Sequence, residues 1–244
     1  MTYGSNLSAS HTDWSVFGRL AADDENVAAQ AKEQLARRYW PAIYAYCRAL
    51  GHSAEASSDL TQGFICDVIL AKKLLHIATP DRGRFRSLLL RSLQNYLRQN
   101  HRESRRRQVG LQPGQHAQDI DQTTSAPSDG QTPEAAFVSQ WATTLVHQAL
   151  ETVRQQCYED GLGEHWQVFE ARVARPMLFG DAPTDHEILA DRFDLESSSQ
   201  AANMAITIKR RFVTTLRNEI AETLDDPHRV EDELLELLRG VKGQ

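Results

Sequence analysis

Along most of the chain, apolar residues recur at intervals of three and four, and no stretch alternates apolar with polar long enough to make a strand. The pattern predicts an all-α protein. In residues 26–50, Leu35, Tyr39, Ile43, Tyr46 and Leu50 stand at core spacing, and Pro41 is expected to kink or restart the helix. Gly51 ends that helix and Ser53 caps the next. The second helix turns Leu60, Phe64, Val68 and Leu75 inward and Glu55, Asp59, Gln62 and Asp67 outward. A third helix starts near Arg84. Its Phe85, Leu88 or Leu89, Leu93 and Tyr96 or Leu97 face the core, leaving Arg84, Arg91, Asn95, Arg98 and Arg102 on other faces.

From Gln108 to Pro133 the chain is rich in Gln, Ser, Thr, Asp, Gly and Pro and poor in large apolar residues, so it cannot offset the entropy of ordering itself. It reads as a flexible linker. The expected organisation is therefore a helical domain over 1–107, a linker over 108–133 and a second helical domain over 134–244. The second domain opens with a helix to about Tyr158, striped by Phe137, Trp141, Leu145, Ala149 and Val153 and ended by Gly161 and Gly163. A shorter helix follows over 164–175, then a turn around Pro176 to Pro183. Next comes a short helix expected to bury Ile188, Ala190 and Phe193, a tight turn with buried Leu195, serine caps, and a long helix from about Ser198.

That last pattern is a helix-turn-helix, with small alanines where the two helices must cross closely. On the long helix Ala201, Ala205, Ile208, Phe212, Leu216 and Ile220 form the inward stripe. Gln200, Asn203, Thr207, Arg210, Arg211 and Thr214 are left for a partner. Gln and Asn can hydrogen-bond adenine edges and the basic residues can hold phosphates. A generic two-helix corner with no role in DNA binding has the same spacing. The chain closes on an acidic amphipathic helix after Asp226-Pro227, with Val230, Leu234, Leu237 and Leu238 expected to pack on the second domain. Alternatively, its acids compete with DNA for the basic helices.

Charge sharpens the picture of the third helix. From Arg82 to Arg107 there are nine arginines against one acid, Glu103, in a protein whose formal net charge is −6. A basic patch on an acidic protein is the footprint of a surface that meets nucleic-acid phosphate, although a solvated arginine face has the same composition. At 41% hydrophobic and 25% charged residues, a chain of 244 can bury its own core without staples. Cys47, Cys66 and Cys157 stand far apart, without the paired spacing of zinc sites or disulfide frameworks, which fits a reducing cytoplasm. Met1 to His11 lacks a basic start followed by an apolar run, so no export signal is expected. No segment offers about eighteen uncharged apolar residues, so no membrane span is expected.

Several of these blocks together resemble the extracytoplasmic-function type of RNA polymerase sigma factor, in a divergent subgroup. Arg38-Tyr39-Trp40-Pro41-Ala42-Ile43-Tyr44, Gly51-His52-Ser53, Asp59-Leu60-Thr61-Gln62-Gly63-Phe64 and Asp81-Arg82-Gly83-Arg84-Phe85-Arg86-Ser87-Leu88-Leu89 are similar to blocks of that family's second region. Ala190-Asp191-Arg192-Phe193, Ala202-Asn203 and Lys209-Arg210-Arg211-Phe212 resemble its fourth region. The resemblance implies that Asp59, Gln62 and Phe64 contact the clamp helices of core polymerase. It implies that Arg84, Arg91, Asn95, Arg98, Gln99 and Arg102 bind and open the minus-ten element, for which a basic groove and base-stacking faces are the needed chemistry. Ser199, Gln200, Asn203, Thr207, Lys209, Arg210 and Arg211 would read the minus-thirty-five element from the major groove.

The partners implied are core RNA polymerase and promoter DNA, and an anti-sigma factor is a further partner that the resemblance allows. No catalytic constellation, metal-ligand spacing or phosphate-binding glycine loop stands out, so neither an enzymatic role nor a metal or cofactor is expected. A stand-alone helix-turn-helix regulator is the alternative, with no use for the Asp59 to Phe64 block. A helical module that binds only protein is the third reading.

Overall fold

The computed structural model describes residues 25–71, 84–109, 131–221, 223, 224 and 226–242, and every regular element among them is helical. The elements are α1 (Glu25–Ala49), α2 (Ala54–Phe64) continuing as a π turn (Ile65–Leu70), α3 (Phe85–Val109) and α4 (Pro133–Glu159). Then come α5 (Gly163–Phe169), which passes through a π turn (Glu170–Ala174) into α6 (Arg175–Phe179), α7 (His186–Arg192) and α8 (Ser198–Ala221). A 3-10 turn (Pro227–Arg229) leads to α9 (Val230–Lys242). Leu75 and most of the expected linker lie outside the described residues.

The chain divides into two compact units, one of residues 1–144 with 220–244 and one of 145–219. In the first unit α1 runs unbroken through Pro41, so the expected restart does not occur. Leu35, Tyr39, Ile43, Tyr46 and Cys47 are buried along it. Ser53 caps α2 as expected, its Oγ accepting the Ala56 N–H at 3.1 Å. Beyond Phe64 the π turn adds a residue to the repeat, which puts Ile65 and Ile69 in the core where Val68 was expected and leaves Val68 half-buried. On α3 the core residues are Phe85, Leu89 and Leu93, so Leu89 is chosen over Leu88. Tyr39 holds the rings together, 5.3 Å from Phe85 and 5.5 Å from Trp141 of α4.

The start of α4 obeys a local rule. Thr132 Oγ1 accepts the Ala135 N–H at 3.2 Å and Pro133 takes the first helical position.

The C-terminal segment belongs to this first unit, which corrects the expectation that it packs on the second. Two local matches hold it there. The Phe85 N–H at the head of α3 donates to the Thr223 carbonyl at 3.1 Å, filling one of the bonds a helix start lacks. Glutamates of α9 meet arginines at the same end of α3. Thr223, Leu224 and Leu237 are buried.

In the second unit, Ala149, Val153 and Cys157 of α4 pack with Trp166 and Phe169 of α5 and Ile208 and Phe212 of α8. Gly161 takes φ +72°, a conformation that closes helices and suits glycine. A second cluster joins Val168, Leu189, Ala201, Met204 and Ala205, with Phe193 and Leu195 half-buried against it. Leu189 therefore does the work expected of Ile188, which is 53% exposed. Between α7 and α8 the chain turns at Asp194, φ 50°, and the Leu195 N–H closes the turn on the Ala190 carbonyl at 2.9 Å. Ser197 Oγ accepts the Gln200 N–H at 3.3 Å while Gln200 Oε1 accepts the Glu196 N–H at 2.8 Å, a reciprocal cap for α8.

Candidate nucleic-acid interface

The buried stripe of α3 fixes what its other face displays. With Phe85, Leu89 and Leu93 inward, Arg91, Asn95, Arg98 and Arg102 fall at helical spacing on an exposed side. Asn95, Arg98, Gln99, Arg102 and Glu103 line a shallow hollow of about 420 Å³. Arg98 is held along the helix, its Nη2 donating to Asn95 Oδ1 at 2.5 Å and its Nε to the Gln94 carbonyl at 3.3 Å. Gln99 Nε2 donates to Glu103 Oε1 at 3.4 Å. These bonds lie at the surface, so water or a phosphate can replace their acceptors at little cost.

Arg84 differs from the other five residues expected at this surface. Its Nη1 donates to Glu236, and its Nε approaches Glu233 Oε2 at 3.0 Å. Arg86, beside it, donates from Nε to Glu233 Oε1 at 2.9 Å and from Nη2 to Glu233 Oε2 at 3.3 Å and Glu236 Oε1 at 3.2 Å. Two carboxylates three residues apart on one helix thus face two guanidiniums two residues apart at the start of another. Partial burial works to raise the Glu236 pKa, but the bonds from Arg84 and Arg86 outweigh it and hold the carboxyl below its ordinary range. Arg84 shows the counterpart: burial opposes its charge, and Glu236 with Glu233 more than restores it.

The block expected to contact polymerase divides. Asp59 and Gln62 are exposed on α2, whereas Phe64 is fully buried and packs edge-on against Tyr96 at 5.5 Å. Phe64 is thereby corrected from a contact residue to a core residue, because it continues the apolar stripe of α2. Tyr96 of α3 is half-buried against it. Gly63 makes room for it, since a Cβ there would run into the Tyr96 hydroxyl.

On α8, Ser199, Asn203, Thr207, Lys209 and Arg210 are exposed. Gln200 is half-buried and occupied by the cap, and Arg211 donates to Asp160 Oδ2 at 2.6 Å. Both are drawn away from the group expected to meet DNA. Asn203, Thr207 and Arg210 share a face with Ile206, 46% exposed, which the sequence pattern did not single out. Its exposure on a helix with a complete buried stripe is the signal that marks it. Arg86, Glu233 and Glu236 were also missed, because pairing across so much chain leaves no local trace.

Among the described residues, no cluster of His, Cys, Asp and Glu is placed to hold a metal ion, and no helix is long and apolar enough to cross a membrane. No protein family, curated protein or solved structure matches the chain.

Proposed function

We propose that this protein is a sigma factor of the extracytoplasmic-function type, which binds core RNA polymerase in the cytoplasm and directs it to promoters. The observation that carries the reading is the presence of two exposed helix faces suited to DNA on separate units. One is the Arg91, Asn95, Arg98 and Arg102 face of α3, and the other is the Asn203, Thr207 and Arg210 face of α8. The α3 face, with Gln99, holds the minus-ten strand through phosphate contacts and the adjoining hollow. The α7–turn–α8 segment acts as a helix-turn-helix, with α8 in the major groove of the minus-thirty-five element. There Asn203 suits an adenine edge, Ile206 suits a thymine methyl, and Ser199, Lys209 and Arg210 suit phosphates or guanine.

Asp59 and Gln62, exposed side by side on α2, are the polymerase contacts that remain once Phe64 is assigned to the core. Bond making belongs to the polymerase, and this chain contributes positioning and strand opening. Transcription by core enzyme from a library of genomic fragments tests the reading. Added protein is expected to create new, discrete start sites that disappear with Arg98→Ala and Arg102→Ala. DNA binding without any new start site would favour the stand-alone regulator.

A further inference from the structure

The basic helix α3 begins at a place already filled by negative charge from the far end of the chain. Glu233 is 1% exposed and anchors Arg86, itself 6% exposed, through both carboxylate oxygens. Glu236 is different: its side chain is 47% exposed and bridges Arg84 and Arg86 from the outside. The inner pair docks α9, while the outer carboxylate sits on guanidinium groups that continue the arginine-rich α3 helix. A carboxylate and a phosphodiester present the same paired oxygens to a guanidinium, so one can replace the other.

Resting on the reading of α3 as a nucleic-acid surface, we infer that Glu236 is an internal competitor that occupies Arg84 until a nucleic-acid phosphate displaces it. Displacement leaves α9 docked, because Glu233, the Thr223 carbonyl and buried Leu237 stay in place. Arg84 therefore adds nothing to the first encounter with DNA. In the wild-type chain a phosphate that reaches the start of α3 only exchanges with Glu236, so a net phosphate contact is gained there only when Glu236 is neutral. Asp232, exposed one turn from Glu236 and close enough to act on Arg84, reinforces the competition.

The test is binding of the full chain to a fluorescently labelled mixed-sequence DNA oligonucleotide, single-stranded and duplex, over a range of salt. Glu236→Gln is expected to raise affinity several-fold. It should steepen the dependence of log K on log salt by about 0.7 for the single strand or 0.9 for the duplex, the share of one phosphate. Arg84→Ala added to Glu236→Gln should abolish the gain. Glu55→Gln removes the same charge from the exposed face of α2 and should have no such effect.

An unaltered or weaker affinity of Glu236→Gln overturns the inference, and so does a gain that persists when Arg84→Ala is added. If the wild-type chain binds and Arg98→Ala with Arg102→Ala weakens it, such a result condemns the competitor and not the nucleic-acid surface. If neither wild type nor variant binds, both ideas fall.

Discussion

Arg86 and Glu233, separated by 147 residues, form a buried two-pronged ion pair with Nε to Oε1 at 2.9 Å and Nη2 to Oε2 at 3.3 Å. The pair makes the end of the chain a structural part of the unit that contains the basic helix. Removing one member leaves the other charge buried with only its second partner, Arg84 for Glu233 and Glu236 for Arg86, which places the cost at the low end, about 3 kcal/mol, of that for breaking a buried pair. Glu233→Ala and Arg86→Ala should each destabilise the first unit by about that amount, and the double variant by clearly less than the sum. Urea unfolding followed by far-UV circular dichroism measures this. A Glu233→Ala chain as stable as wild type would mean that α9 is not docked through this pair.

The outer contact brings a pH dependence. Glu236 titrates below the ordinary carboxyl value of 4.5 because Arg84 and Arg86 outweigh its partial burial. A depressed folded-state pKa means that the stabilisation is complete above the unfolded value and fades as pH falls through the folded one. Thermal stability should therefore drop on acidification below about 4.5, and Glu236→Gln should remove part of that drop. The effect is small, because the side chain is 47% exposed and solvent screens the pair. Melting curves of both chains across that range test the sign.

Gly63 and Tyr96 predict a repairable clash. Alanine at a helical glycine ordinarily stabilises by about 1 kcal/mol. Here the new methyl meets the Tyr96 hydroxyl, while the next ring carbon stands at an ordinary 3.5 Å. Gly63→Ala should thus destabilise by about 1–3 kcal/mol through overpacking. Adding Tyr96→Phe, which deletes the hydroxyl, should recover much of that loss. A Gly63→Ala chain more stable than wild type would contradict the packing of Tyr96 on Phe64.

The two faces should behave differently towards DNA. Arg98→Ala with Arg102→Ala should weaken binding to all sequences and reduce the salt slope for duplex by about 1.8, two phosphate contacts. Asn203→Ala should instead relax preference among duplex sequences by about 1–3 kcal/mol at one base position, with little change in slope. Competition binding against a randomised duplex pool separates the two outcomes. Equal loss of affinity for every sequence on Asn203→Ala would take α8 out of the reading role.

Much of the fold was legible because local rules agreed with one another. The stripes of α1, α4 and α8, the Ser53 cap and the turn before Ser198 follow from spacing and side-chain chemistry within a few residues. Misreadings arose where a non-local term decided. The π turn after Phe64 changed the repeat, so Ile69 replaced Val68 in the core. Ile188 and Leu189 are equally apolar, and packing on Ala201 and Met204 selected Leu189. The docking of α9 rests on Arg84 and Arg86, too far along the chain for periodicity to connect. The candidate site was legible as an arginine stripe, but burial removed Phe64, the α8 cap engaged Gln200, and Asp160 engaged Arg211.

Titration of the purified protein against bacterial core RNA polymerase without DNA asks whether the chain works on polymerase. Saturable binding is expected, weakened by Asp59→Ala or Gln62→Ala while thermal stability stays unchanged. Absence of binding by a folded chain to an active core enzyme would contradict it.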